Sequence, residues 1–551
     1  MADRFAGIET VYDDCNLPAG LHPSARYNQT ELLCRTPTRT RLNVVGRGVS
    51  RLSLKLKPLP GLLGLTAAAF LIHGYHPWSE DAETYLPGIE KVLNPHLFPI
   101  GSEYFQLHAH LTWFPQLIAG TVQLLHLPLP WTLLLWQSLS FFLFLAACWH
   151  LLRLLIPSER ACWAGVALVA ALFTMPVAGT ALYLMDPFLN PRNIIASAEI
   201  FAIARLLQRK YFQAVVLLFF AVSIHPFMSA FTASFAMLLV CLDRWPARWS
   251  VRARVEETVQ VAGLAAPLVP AGGGGIAKMF SAPTQAYDDV ASTHRYQFLS
   301  RWTWYEVLGA IAPLAILWWF SLVAKARGWR PLELLSRALA IYGAIYFAAG
   351  LIVSLPRRLE VFSLLQPMRS LQLLYILMLL IGGGLLGEFV LRNRAWRWLA
   401  LFLPLSGGML YAQRALYPMS AHIEWPSAAP RNPWVAAFLW AKNNTPENAI
   451  FALDPFYMQS DDEDGFRAIA QRSQLADGVK DSGVVELFPS IADSWMAQVN
   501  AQRGIDHFQP ADFAHLKQQY NVSWVVIRQS SAPFLDCPYQ NAAVKVCRLP
   551  E

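Results

Sequence analysis

WTLLLWQSLSFFLFLAACWHLL, residues 131–152, runs through twenty-two positions without an Asp, Glu, Lys, Arg or Pro. Crossing the hydrocarbon core of a bilayer takes about 20 predominantly apolar residues, so this stretch reads as a membrane span. LTAAAFLIHGYHPW (65–78) and LLYILMLLIGGGLLGEFVL (373–391) repeat the pattern. The whole chain is 55% hydrophobic and 15% charged, against about 25% charged in an ordinary soluble protein. That much apolar sequence exceeds what one globular core can bury, and lipid is its natural solvent.

Charge is distributed unevenly around these blocks. Residues 420–551 hold 15 Asp plus Glu against 10 Lys plus Arg, a net of −5, so the total of +7 leaves +12 for residues 1–419. The excess Arg residues recur in short loops and form no single stripe, so they read as topology signals and point away from nucleic acid. Setting the Arg-rich loops inside gives cytoplasmic segments at Arg153–Arg160, Arg205–Lys210, Arg244–Arg254, Lys325–Arg330 and Arg392–Arg397. The segments facing the periplasm or lumen are then 77–128, 186–193, the His225 turn, 272–303, 356–369 and everything after about 418. About eleven spans result, with the stretches 194–207 and 258–270 short enough to be tilted or re-entrant. LHAHLTWFPQLIAGTVQLLHL (107–127) would invert every later loop if it crossed, and is read as a juxtamembrane segment.

The expected organisation is therefore an α-helical polytopic bundle over 60–418 with an external juxtamembrane loop at 77–128, and a soluble α/β domain over 419–551. Residues 1–59 show no cleavable signal pattern, since the first long apolar block starts near Pro60, and are expected to be a disordered basic cytoplasmic tail. In the C-terminal part, Asn432–Pro433 starts a helix over PWVAAFLWAKNN, and FPSIADSWMAQVNAQRG reads as a helix ending at Gly504. AIFAL (449–453), SWVVIR (523–528) and AVKVCRL (543–549) read as strands. AGGGG at 271–275 reads as a flexible loop. Of seven cysteines, Cys148, Cys162 and Cys241 sit in or beside apolar blocks as packing residues, while Cys537 and Cys547 fall together where an oxidising compartment would let them pair.

Four places carry candidate chemistry. HPWSEDAETYLPGIEKVLNPHLFPIGSEYF (76–105) sets Glu80, Asp81 and Glu83 where the chain leaves the membrane, with Glu103 later in the loop. Carboxylates there can bind a metal or take a proton from a hydroxyl, or form a plain solvated turn. YLMDPFLNPRN (183–193) places Asp186, Asn190, Arg192 and Asn193 between apolar blocks, where Asp-Pro also makes an ordinary turn. Glu199 and His225 lie in or at the end of apolar helices, either as satisfied polar residues or as ligands. SLPRRLEVFSLLQPMRSLQL (354–373) puts Arg357, Arg358 and Arg369 outside, against the charge rule. They suit an anionic ligand such as phosphate, or pair with Glu360 or ordinary headgroups. Asp461, Asp462, Glu463 and Asp464 read as a solvated loop.

A cytoplasmic entry, one span, an acidic first external loop beginning Glu80-Asp81-Ala82 with Tyr85 following, an acid near Asp186, many spans and an external C-terminal α/β domain resemble the GT-C glycosyltransferases. That superfamily includes lipid-A aminoarabinose transferases, protein O-mannosyltransferases and oligosaccharyltransferases. The first-loop pair there is Asp-Asp, Asp-Glu or Glu-Asp, and the WWDYG motif of oligosaccharyltransferases is absent here. The resemblance implies inverting transfer of a sugar from a polyprenyl-phosphate carrier, at the outer face of a bacterial inner membrane, to an acceptor it does not identify. Asp81 or Glu80 would act as base, with or without a divalent metal shared between Asp81 and Asp186. Arg357, Arg358, Arg369, Arg192 and His225 would hold the phosphate. A transporter, a lipid flippase and a catalytically inactive scaffold remain the alternatives.

Overall fold

The computed structural model of the chain describes residues 58–244, 290, 294–354, 365–459, 462 and 464–550. Helices occupy ten of the expected span positions: α1 (Leu59–His73), α5 (Leu129–Leu155), α6 (Glu159–Ala171), α7 (Pro191–Leu207), α8 (Tyr211–Ile224), α9 (Pro226–Arg244), α10 (Trp304–Ala326), α11 (Arg330–Ser354), α12 (Leu371–Leu386) and α13 (Ala395–Leu416). Before α5 come three shorter helices, α2 (Ala82–Leu93), α3 (Glu103–Ala109) and α4 (Phe114–Leu125). The expected span at 258–270 lies outside the described residues, as does the expected tail up to residue 57.

Five helices among the described residues are long and apolar enough to cross a membrane: Leu129–Leu155, Pro226–Arg244, Trp304–Ala326, Arg330–Ser354 and Pro367–Leu391. The count of eleven drawn from apolar runs is thus not carried by length. Helices such as α6 and α8, with 13 and 14 residues, rise only about 20 Å. α4 is shorter still at 12 residues and lies against α2 and α5, with Phe114, Ile118 and Ala119 buried and Leu124 outward. Along α10, Leu308, Ile311, Trp318, Trp319 and Leu322 are exposed side by side, a patch suited to lipid.

The GGGLLG run is explained by packing. A Cβ on Gly383 would stand 2.8 Å from the Gly165 Cα, and one on Gly165 would stand 2.5 Å from the Leu380 carbonyl oxygen. Only small residues let α6 and α12 approach so closely, the usual device where apolar burial cannot drive helices together.

Among the described residues the acidic loops and the Arg-rich turns gather separately. At one end of α5, the Gln137 amide donates to the Asp186 carbonyl at 2.8 Å. Arg153 lies in its last turn. Arg-rich turns meet one another away from the acidic loops: Arg160 bonds Asn393 at 2.9 Å, Arg209 pairs with Asp243 at 3.2 Å, and Arg327 lies over the Phe389 ring.

The C-terminal domain follows α13 and is built on a five-stranded sheet. Its helices are α14 (Pro433–Asn444), α15 (Phe466–Ala470), α16 (Lys480–Leu487), α17 (Ala492–Gln502) and α18 (Pro510–Tyr520). With β1 (Pro176–Val177) and β2 (Leu182–Tyr183) forming a small hairpin in the bundle, the domain strands are β3 (Ile450–Ala452), β4 (Ser473–Gln474), β5 (Trp524–Arg528), β6 (Asp536–Gln540) and β7 (Val544–Arg548). Their order is β4-β3-β5-β7-β6, parallel among β4, β3 and β5 and antiparallel from β5 outward. Asn432 caps α14 by accepting from the Trp434 amide, as Asn-Pro predicts. The Cys537–Cys547 disulfide ties β6 to β7.

The connector after α13 returns to the end of α1. Tyr75 donates its amide to the His422 carbonyl and accepts from the Glu424 amide, both at 3.0 Å. The domain is thereby held against the first acidic loop.

Candidate functional site

Asp81 precedes α2 but does not cap it: its carbonyl takes the Thr84 and Tyr85 amides, while its carboxylate makes no cap bond. The carboxylate reaches Arg192 instead, at 2.9 Å. Arg192 also meets Asp186 at 3.3 Å, so one guanidinium bridges acids from two loops. Asn190 caps α7, accepting from the Asn193 amide at 3.0 Å, and donates its own side-chain amide to Asp186. Asn193 in turn accepts the Asp186 amide and donates to the Asp186 and Phe188 carbonyls. The whole second loop is thus folded around one carboxylate, which is 3% exposed. Burial pushes the Asp186 carboxyl above its usual range, and Arg192 opposes this.

Asp81 differs, with 32% of its side chain exposed. Burial would raise its pKa, but the charges of Arg192, Lys480 and Arg369 outweigh it and bring it to about 2. It is a carboxylate at any physiological pH.

Glu80 adopts a left-handed backbone with φ of 57°, a conformation costly for a side chain with a Cβ. Its carboxylate pairs at 2.6 Å with Lys480, whose ammonium also lies 3.9 Å from Asp81. Lys480 begins α16, so the C-terminal domain supplies a side chain to the acidic loop 400 residues away in sequence. Nothing near Lys480 in sequence distinguishes it; only the fold could reveal it.

Arg369 lies in the short 3-10 turn before α12, with its guanidinium 5.4 Å from the Tyr296 ring centre. It makes no ion pair or hydrogen bond among the described residues, and its Nε is buried without a partner. Arg369 and Arg192 both line a cleft that enters the bundle between α7, α9 and α12, walled by Ile195, Ile200, Met228 and Ile376, with Glu199 farther along. His225, at the α8–α9 turn, stands 6.4 Å from His108 between ring centres. His108, unremarkable in sequence, joins the site through that contact.

Five of the expected site residues, Asp81, Glu80, Asp186, Arg192 and His225, thus gather with Arg369. Arg357 and Arg358 lie outside the described residues, as does Glu360. Glu103 opens α3 and takes no part in the cluster. A divalent ion shared by Asp81 and Asp186 does not fit this arrangement, because the Arg192 guanidinium occupies the bridging place. Among the described residues no group of three His, Cys, Asp or Glu side chains is set to hold a metal.

Two readings of single acids change. Glu83 does not face the site but is buried in the domain contact, accepting from the Arg467 and Ala468 amides, the Arg467 guanidinium and Gln474. The acidic run is not simply solvated either. Asp462 accepts the Met419 amide, and Asp464, 2% exposed, accepts from Ser79 and Asn432. These acids glue the domain to the first loop.

No protein-family model matches the sequence, and no curated protein is detectably similar to it.

Proposed function

We propose that the chain is a GT-C-like membrane glycosyltransferase that moves a sugar from a polyprenyl-phosphate carrier to an acceptor, at the membrane face that holds the C-terminal domain. In this reading that face is periplasmic, on a bacterial inner membrane. The observation that carries the proposal is a juxtaposition. A partly exposed, ionised carboxylate, Asp81, pairs with Arg192 and feels the charge of Arg369, a guanidinium with no ion-pair partner among the described residues, and both arginines line one cleft in the bundle. Phosphate suits a planar guanidinium, and Ile195, Ile200, Met228 and Ile376 supply apolar surface next to it.

Chemistry follows from these positions. Arg369 holds the carrier phosphate and stabilises the charge that grows on it as the sugar–oxygen bond breaks. The acceptor hydroxyl, bonded to Asp81, attacks the anomeric carbon from the opposite side, inverting it. A carboxylate with a pKa near 2 takes the proton late, when the attacking oxygen has become acidic through bond formation. Asp186, enclosed by Asn190 and Arg192, acts as a positioning residue for Arg192. No step is routed through a metal.

The test is transfer from a synthetic polyprenyl-phosphate sugar by the purified full chain in nanodiscs, against Asp81→Asn and Arg369→Ala. Loss in both variants with unchanged folding supports the roles; transfer at the parental rate in either sinks that role. Glu199 in the same cleft favours a second reading, passage of a lipid phosphate across the bilayer. A flippase would translocate a labelled lipid phosphate in vesicles with no acceptor present and lose that with Glu199→Gln.

A further inference from the structure

Asp81 and Tyr85 are four residues apart at the start of α2 and so share one helix face. Around Tyr85 the fold assembles two histidines from distant segments. His108 sits in the last turn of α3, its ring centre 5.2 Å from that of Tyr85. His225 follows α8 directly and is kept out of the helical conformation, partly by Pro226. The Trp113 amide donates to the Ser223 carbonyl at 2.8 Å, locking the two turns together.

These three side chains share an unusual state. His225 is 5% exposed, yet neither its ring nitrogens, nor those of His108, nor the Tyr85 hydroxyl, has a hydrogen-bond partner among the described residues. None of these atoms is fully sealed from solvent either. Three side chains whose polar atoms meet solvent but no protein partner, gathered around one spot, form a surface suited to a polar ligand. The charge state narrows the ligand. Burial brings His108 to about 4 against the opposing charge of Asp81, and burial, then the neighbouring His108 and Arg192, holds His225 well below the usual imidazole range. A neutral imidazole offers one donor and one acceptor, and a phenol offers both. Anions need donors only, whereas each hydroxyl of a polyol gives and takes one bond.

We propose that Tyr85, His108 and His225 form a subsite for the hydroxyls of a neutral sugar or polyol headgroup, seated beside the phosphate position at Arg369. The inference rests on the lipid-phosphate reading of the site and adds which side chains read the group being carried. It also assigns His225 to hydroxyl recognition, not to phosphate.

Binding of two probes to the full chain in nanodiscs separates the claims: decyl phosphate, and decyl phosphate esterified to a hexose. The hexosyl probe is expected to bind about tenfold tighter, equivalent to one or two net hydrogen bonds. His108→Ala and His225→Ala should remove that advantage while leaving decyl phosphate affinity unchanged, and Arg369→Ala should weaken both probes. Should either alanine variant melt early, His108→Gln and His225→Gln retain an amide donor and acceptor and are expected to keep part of the advantage. Equal losses for the two probes in the histidine variants, or no hexose advantage in the parent, overturn the subsite. If decyl phosphate itself fails to bind, or ignores Arg369→Ala, the phosphate reading falls and the subsite with it.

Discussion

Asp81 and Glu83 are two residues apart in one acidic loop, and the fold sends them to opposite fates. Asp81 keeps a third of its side chain in solvent, with Arg192, Lys480 and Arg369 pulling its pKa to about 2. Glu83 is fully buried, and burial raises it to about 8 despite Arg467. Helical geometry explains the parting: successive residues of a helix start point about 100° apart, and here one direction meets the membrane site and the other the C-terminal domain. Both are charge clusters, but the first matches its three acids, Glu80, Asp81 and Asp186, with three cations, Lys480, Arg192 and Arg369, and the second has too few. Arg467 alone faces Glu83, Asp477 and Asp481, at 3.2, 3.8 and 2.6 Å. A balanced cluster in which one guanidinium, Arg369, has no ion pair among the described residues leaves something for an anionic ligand; a surplus of buried acid leaves only structure.

The sharpest break comes from the sealed cluster. Arg467→Met should strip three buried carboxylates of the only cation paired with them among the described residues and cost about 3–5 kcal/mol. Limited proteolysis is expected to release the C-terminal domain early, with a clear drop in melting temperature. A variant as protease-resistant as the parent would mean the cluster does not hold the domain. At the open cluster the effects should invert: Asp81→Asn is expected to lower sugar transfer about 10²–10⁴-fold while moving the melting temperature little, since Asp81 is partly solvated. If stability falls as far as activity, Asp81 belongs with the structural acids.

How the two clusters respond to pH gives a third, subtler separation. The Glu83 carboxyl is raised to about 8 and the Asp481 carboxyl to about 7, with burial the leading cause in both. A raised acid binds its proton more tightly folded than unfolded. Stability therefore falls as pH climbs from the unfolded value near 4 up to the folded values, and levels off above them. Asp81 has the opposite sign, contributing stability that is lost only as pH drops toward 2. Between pH 7 and 8.5, above the range in which the buried histidines would gain a proton on unfolding, the parent's melting temperature should decline, and Glu83→Gln should flatten that decline by removing one titrating group. A slope of the other sign, or one unchanged in the variant, would show that Glu83 is ionised throughout.

Much of this is legible in the sequence, and the reasons are physical. Arginines sort to one side of a bilayer, so loop charge foretold which loops would gather, and Asn432-Pro433 foretold a helix start because capping and ring geometry are local. Strands β3, β5 and β7 were legible from β-branched and aromatic runs. β6, DCPYQ, was not, because Asp and Pro disfavour strands and an edge strand tolerates them. Of the eleven expected spans, five are helices long and apolar enough to cross a membrane among the described residues, because apolar runs overstate length when helices stop at turns. Within the site, Asp81, Glu80, Asp186, Arg192 and Arg369 were visible as charges at membrane boundaries. Lys480, Arg467 and His108 were not, since each matters only through partners far along the chain.

Lys480 is where the two clusters touch, and it yields the smallest and most discriminating effect. Its helix begins beside Asp477, whose carboxylate accepts the Lys480 amide, and Asp481 one residue on binds Arg467. The sealed cluster therefore aims the lysine at Glu80 in the open one. A positioning role of this kind predicts that Lys480→Met keeps the fold, because 13% of the side chain is exposed and no acid is left fully buried. Transfer should fall only about 5–10-fold, as the Glu80 carboxylate, no longer tethered, crowds Asp81 and repels the incoming phosphate. Glu80→Gln in the same background should restore part of that loss, because it removes the repulsion, whereas a merely structural lysine would not be rescued by neutralising its partner. A double variant as slow as the single would detach the C-terminal domain from the chemistry and leave it only a scaffold.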